Sequence, residues 1–106
     1  MNKPVALIVE DDRDVVALFR HVLDIAGYHT EIVLDGKEAM ERLETSQPNI
    51  VLLDLQLPGM SGVEILTRMR ADDRMRNIPV IVITAFPIYV ASLPVEPDLL
   101  LYKPVD

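Results

Sequence analysis

The chain has no cysteine, an absence that excludes disulfides, thiolate metal ligation and a cysteine nucleophile together. Positive charge is scarce. Ten basic residues stand against seventeen acidic ones, for a net charge of -7, so the surface on balance repels a phosphate backbone and no direct nucleic-acid binding is expected. Long hydrophobic runs are missing as well. The N-terminal Met1-Asn2-Lys3-Pro4 leads into five apolar residues that stop at Glu10, too short for a signal-peptide core or a membrane span. A cytoplasmic location with no membrane association is the expectation. There are no internal repeats and no low-complexity tracts, and histidine occurs only as His21 and His29.

What remains is ordinary for a globular protein, half hydrophobic and one quarter charged, and the length of 106 residues suits one domain over 1–106 sharing a single core. Short runs rich in Val, Ile and Leu recur at Val5 to Val9, Ile50 to Leu55, Val80 to Thr84 and Leu99 to Tyr102. Such runs fit strands covered on both faces, as in a parallel sheet. A weaker strand, His29 to Leu34, alternates polar with apolar residues and reads as an edge. Between the runs, apolar residues stand three and four apart. Val15, Phe19, Val22 and Ala26 predict one helix, Ala39, Met40 and Leu43 a second, Leu66 and Met69 a third, each with one buried stripe. Gly27 reads as a left-handed helix stop, while Asp35 with Glu38 and Ser61 with Glu64 carry the spacing of N-terminal capping boxes. Met40, Met69 and Met75 read as packing residues, with no cofactor box implied.

Strand and helix alternate up to the fourth strand, and an uncertain segment then precedes the fifth; this order predicts an α/β doubly wound, flavodoxin-like fold, with a five-stranded parallel sheet in the common order 2-1-3-4-5. In that order strands 1 and 3 are neighbours, and a crevice opens beyond their carboxyl ends. Glu10-Asp11-Asp12 ends the first strand and Asp54 sits near the end of the third, so these carboxylates meet at that crevice. An ionised Asp in so apolar a run is costly to bury without compensation, and clustered carboxylates raise one another's pKa. A hard dication relieves both costs, and Mg²⁺ combines one or two carboxylates with waters and a phosphate oxygen. Asp54 is then the candidate nucleophile toward phosphorus, since a carboxylate can form an aspartyl phosphate. Thr84, with a hydroxyl at the end of the fourth strand, and Lys103, with an ammonium at the end of the fifth, complete the constellation. Asp12 and Asp14 read as cap and first-turn acids of the first helix. His21 and His29 fall away from the crevice and read as surface residues.

These residues resemble the receiver domains of bacterial response regulators over nearly the whole chain. Val9-Glu10-Asp11-Asp12 is similar to the family's acidic motif, Leu53-Asp54-Leu55-Gln56-Leu57-Pro58-Gly59-Met60-Ser61-Gly62 to its phosphoacceptor loop, Thr84-Ala85 to its switch hydroxyl and Lys103-Pro104 to its lysine motif. The resemblance implies Glu10 and Asp11 as metal acids, Asp54 as acceptor and Gln56 as a backbone-carbonyl metal ligand. It also implies a cis bond before Pro104, a sensor histidine kinase or phosphotransfer protein as donor, and a homodimer or an output partner downstream. It implies no multiple-turnover enzyme, only a domain that assists its own phosphorylation and dephosphorylation. Two alternatives stand beside it: an interaction module of the same fold with degenerate switching, and an aspartate-nucleophile phosphatase. The latter places a second acid two residues after its nucleophile, where this chain has Gln56.

The chain departs from the family in three places. Prolines 87, 94 and 97 leave room for at most two helical turns, Pro87 to Leu93, so the fourth helix is expected to be short or irregular. Leu100 stands three positions before Lys103, where the family carries a switch aromatic. The sequence stops at Asp106, a suitable N-cap for the family's fifth helix. That helix is therefore expected on residues beyond 106, or its face is covered by another chain.

Overall fold

A computed structural model describes residues 2–91 and 93–103. Nine elements alternate: β1 (Val5–Val9), α1 (Arg13–Ile25), β2 (His29–Val33), α2 (Gly36–Thr45), β3 (Ile50–Asp54), α3 (Gly62–Ala71), β4 (Val80–Thr84), α4 (Pro87–Ala91) and β5 (Leu99–Tyr102). All strand pairs are parallel, as the alternation predicts, and the order β2-β1-β3-β4-β5 is the common one expected for a doubly wound sheet. Two strands end one residue earlier than the apolar runs suggest: β2 stops before Leu34 and β3 before Leu55. The expected helix stops and caps form. Gly27 has φ +96, and the side chains of Asp12, Asp35 and Ser61 accept backbone N–H groups at the starts of α1, α2 and α3. Each such cap is worth about 1 kcal/mol.

The strand period of two divides the sheet's side chains between its faces. Leu7, Val9, Val51, Leu53, Val80 and Val82 meet Ala39, Met40 and Leu43 of α2 and Ile65, Leu66 and Met69 of α3 in one buried cluster, each large side chain contributing roughly 1.5–3 kcal/mol. Met75 joins this core from the turns after α3 rather than from a helix. The other face carries Ala6, Leu52, Ile81 and Leu101, which border a cavity against Phe19, Val22 and Leu23 of α1. Here the expected buried stripe of α1 is not realised. No residue of that helix is buried; Val15 and Phe19 are half-covered, Val22 and Ala26 exposed. The reason is geometric: among the described residues α1 covers its sheet face alone, so its apolar side touches the strands along one flank only.

Helix α4, Pro87–Ala91, is short, as expected, and lies within the Pro87-to-Leu93 span that Pro94 allows. Leu100 packs against the main core from β5. The sequence expectations for the bond preceding Pro104 and for Asp106 as a cap lie outside the described residues.

Candidate functional site

The carboxyl ends of β1 and β3 lie side by side, with Val9 opposite Leu53 in the register. Glu10 and Asp54 therefore emerge next to each other. Glu10 is fully buried and turns back on its own loop, its Oε2 accepting the N–H groups of Asp11 (2.9 Å) and Asp12 (3.1 Å). Asp54 is 2% exposed, and the N–H of Gln56 donates to its Oδ1 at 3.1 Å. Asp11 is exposed. One carboxylate oxygen from each of Glu10, Asp11 and Asp54 falls within 4.8 Å of the others.

Lys103 closes the inner side. Its backbone N–H donates to the Thr84 carbonyl at 2.8 Å, which fixes the residue just past β5. Its Nζ then reaches Asp54 Oδ2 at 3.1 Å and Glu10 Oε1 at 2.7 Å. Burial alone would lower the ammonium's pKa, but its contacts with Glu10 and Asp54 outweigh that and hold it above its ordinary 10.5. Glu10 responds in the other direction. Burial, reinforced by a hydrogen bond with Asp54, pushes its carboxyl up to about 7, against the lowering pull of Lys103 and of the Asp12 N–H. Although Oε1 lies close to Nζ, it has no oriented hydrogen bond. A buried carboxylate oxygen so placed, beside two further acids, is the donor set a hard divalent cation takes, and the residues fit such an ion.

Thr84, fully buried at the end of β4, accepts the Phe86 N–H at 3.1 Å through its hydroxyl. Over these groups lies an open cleft of about 690 Å³ whose lining includes Asp11, Asp12, Asp54, Gln56, Tyr89 and Lys103. Asp12 caps α1, accepting from Asp14 and Val15, and Asp14 occupies the first turn, as the sequence suggests. His21 and His29 are exposed and do not line the cleft. One lining residue was invisible to sequence reasoning. Tyr89 of α4 accepts a hydrogen bond of 3.1 Å from the Gln56 carboxamide, and a tyrosine in a proline-bounded stretch carries no signal of that placement.

Comparison with known proteins agrees with this geometry. The family model for the response regulator receiver domain matches residues 6–106. The polar-differentiation response regulator DivK of Brucella anthropi is 40% identical over 80 residues, which cover 76% of this chain. The match spans 65% of that relative's length. Among solved structures, the Mn²⁺-bound form of response regulator Rcp1 superposes with a TM-score of 0.87 at 30% identity, covering 99% of this chain and 84% of that one. A CheY-like receiver domain from Methylobacillus flagellatus gives 0.78 at 27% identity, covering 99% and 90%.

Proposed function

The chain belongs to the response regulator receiver domain family of two-component signalling, and on that premise we propose that Asp54 accepts a phosphoryl group from a phosphohistidine on a sensor kinase or phosphotransfer protein. The observation that carries the reading is the meeting of Glu10, Asp11 and Asp54 at one sheet edge with the Lys103 ammonium on Asp54. A lone buried aspartate would be a burden on the fold; one held between a lysine and two further acids is prepared for charge to arrive and leave.

In the transfer, an oxygen of Asp54 forms a bond to phosphorus as the phosphorus–nitrogen bond of the donor breaks, and the departing imidazole takes a proton. Oδ1 is oriented by the Gln56 N–H and Oδ2 by Lys103, so the carboxylate is fixed before the donor arrives and little orientational freedom is left to lose. The phosphoryl oxygens then face the Lys103 ammonium, a movable point charge on a flexible stem. The Thr84 hydroxyl, now bonded to Phe86, lies at the end of the neighbouring strand and serves as their hydrogen-bond donor. Glu10, Asp11, Asp54 and the Gln56 carbonyl are the groups that would hold Mg²⁺, with Glu10 giving up its proton first. Bound there, Mg²⁺ supplies neutralisation of the charge spread over the transferring oxygens. A cytoplasmic location is part of the same proposal, and no helix among the described residues is long and apolar enough to cross a membrane. The domain assists its own loading and unloading and does not turn over a stream of substrates, because Gln56 offers no acid or base two residues past the nucleophile.

The experiment is intact mass after exposure to a small phosphodonor, with and without Mg²⁺. A gain of one phosphoryl group that needs Mg²⁺ and disappears in Asp54→Ala is expected. The competing reading is a receiver-fold interaction module that no longer switches. Leu100 speaks for it, since an aliphatic side chain packed on the core cannot act as the swinging aromatic. Absence of any gain in the wild type would favour that reading, and steady turnover of phosphate esters would favour a phosphatase.

A further inference from the structure

The loop between β3 and α3 carries both main-chain groups of Gln56 described above, and α2 shapes that loop from outside the cleft. A helix start leaves its first N–H groups without partners inside the helix. At α2 the Asp35 carboxylate takes the N–H of Glu38, while the N–H of Gly36 donates at 2.9 Å to the carbonyl of Pro58. The next turn of the loop lies closer still. A Cβ on Gly36, which is buried, would overlap the Met60 carbonyl oxygen and stand 3.0 Å from Met60 Cα. From the loop's side, Gly59 has φ +82, and a Cβ there would meet the Lys37 backbone nitrogen at 3.4 Å. Glycine is the poorest helix former after proline, so its place as the first residue of α2 asks for a reason. The approach of this carbonyl supplies one.

Resting on the receiver reading above, we propose that Gly36 is a positioning residue: by admitting the Met60 carbonyl against α2 it fixes the loop, and with it the Gln56 carbonyl that would hold Mg²⁺. Little slack lies between. Only Leu57 separates Gln56 from the tethered Pro58, whose ring locks its own φ. The far end of the loop is held by the Gly62 N–H, which donates to the Leu55 carbonyl at 3.1 Å. A side chain at position 36 forces the Met60 carbonyl to retreat by about 1 Å, several times the ~0.2 Å within which metal–ligand distances are kept. Gly36 does not line the cleft, so it acts through the loop.

The test follows the full chain by NMR and calorimetry as Mg²⁺ is added. In the wild type the ion should shift the carbonyl carbon signal of Gln56 and the carboxyl signal of Asp11 together. In Gly36→Ala the Gln56 response should be largely lost and the Asp11 response kept, with Mg²⁺ affinity lowered roughly tenfold, as for other groups that orient a metal ligand. Gly59→Ala pushes on the same contact from the loop and should lower affinity in the same direction by less. Gly27→Ala is the control: its backbone is strained at φ +96 with open space around it, so it costs stability away from the loop and should bind Mg²⁺ as the wild type does. A glycine with a purely structural role would lower the urea midpoint and leave affinity in the folded protein unchanged. Wild-type affinity in folded Gly36→Ala, or an equal loss in Gly27→Ala, overturns the proposal. Should Gly36→Ala not fold, Gly59→Ala decides, and wild-type affinity there overturns it as well. A wild type in which Mg²⁺ moves neither signal overturns the receiver reading itself, an outcome distinct from a protein that binds the ion whatever stands at position 36.

Discussion

The raised pKa of Glu10 makes cation binding at the acidic cluster a pH-dependent event with a definite sign. A divalent cation needs the ionised carboxylate, and Glu10 in the metal-free fold holds its proton up to about pH 7 because of burial and its bond with Asp54. About nine in ten copies are ionised at pH 8 and about one in ten at pH 6, so Mg²⁺ affinity should fall roughly tenfold over that interval through this residue alone. Binding at pH 6 should also release close to one proton, measurable by titration calorimetry in buffers of different ionisation enthalpy. The same shift acts on stability. The folded state binds the Glu10 proton more tightly than the unfolded chain, whose ordinary value is 4.5, so metal-free stability is highest below about pH 4.5 as far as this group is concerned. It declines as pH rises towards 7, by about 2 kcal/mol once screening at the open cleft is allowed for. Urea unfolding at pH 5.5 and 8, with and without Mg²⁺, reads this directly: the gap should close when the ion is present. In Glu10→Gln both trends should vanish. A Mg²⁺ affinity that is flat between pH 6 and 8 in the wild type would refute the assignment of Glu10 as a protonated ligand in waiting.

Lys103→Met leaves Glu10 and Asp54 without their cation; the metal-free protein should lose about 3 kcal/mol at pH 8 and clearly less at pH 5.5, in urea unfolding. Gly62→Ala places a Cβ against the Asp54 carbonyl oxygen, backbone against which nothing can yield, and should cost about 2–3 kcal/mol while lowering phosphoryl uptake, both read on one preparation. Asp98→Ala removes the partner of the Val80 N–H and of Arg70; a loss of about 1–2 kcal/mol in the unfolding midpoint is expected. Because the Val80 N–H, and then Arg70, hold the Asp98 carboxyl below its usual 3.8 against the effect of burial, its contribution is fully present above that value. It disappears only as pH falls through the lower folded pKa, so Asp98→Ala should match the wild type in strongly acidic unfolding.

Much of the fold was readable because the controlling forces are local or periodic. A parallel strand buried on both faces must be apolar along nearly all its length, so Val5–Val9, Ile50–Asp54 and Val80–Thr84 declare themselves. Helix starts declare themselves through the side chains that accept their free N–H groups, as at Asp12, Asp35 and Ser61. The acids at the site were legible for the opposite reason: a carboxylate in the run that ends at Asp54 has no packing purpose. The covering of α1 was not legible, since its stripe predicts which side meets the sheet and says nothing of what flanks it. Arg70, which donates to the carbonyls of Arg76 and Ile78 and pairs with Asp98, also looked like any surface arginine.

The amino-acid sequence by itself determined the order of the elements and the residues that carry charge at the crevice. Periodicity, capping chemistry and the cost of burying a carboxylate depend only on what neighbours in the chain are. The tertiary structure alone decided that Lys103 pairs with Glu10 and Asp54 together, that Glu10 holds a proton near neutrality, and that Tyr89 reaches Gln56 across 33 residues. Those outcomes depend on distances of about 3 Å between side chains far apart in the chain, and on how completely water is excluded from between them.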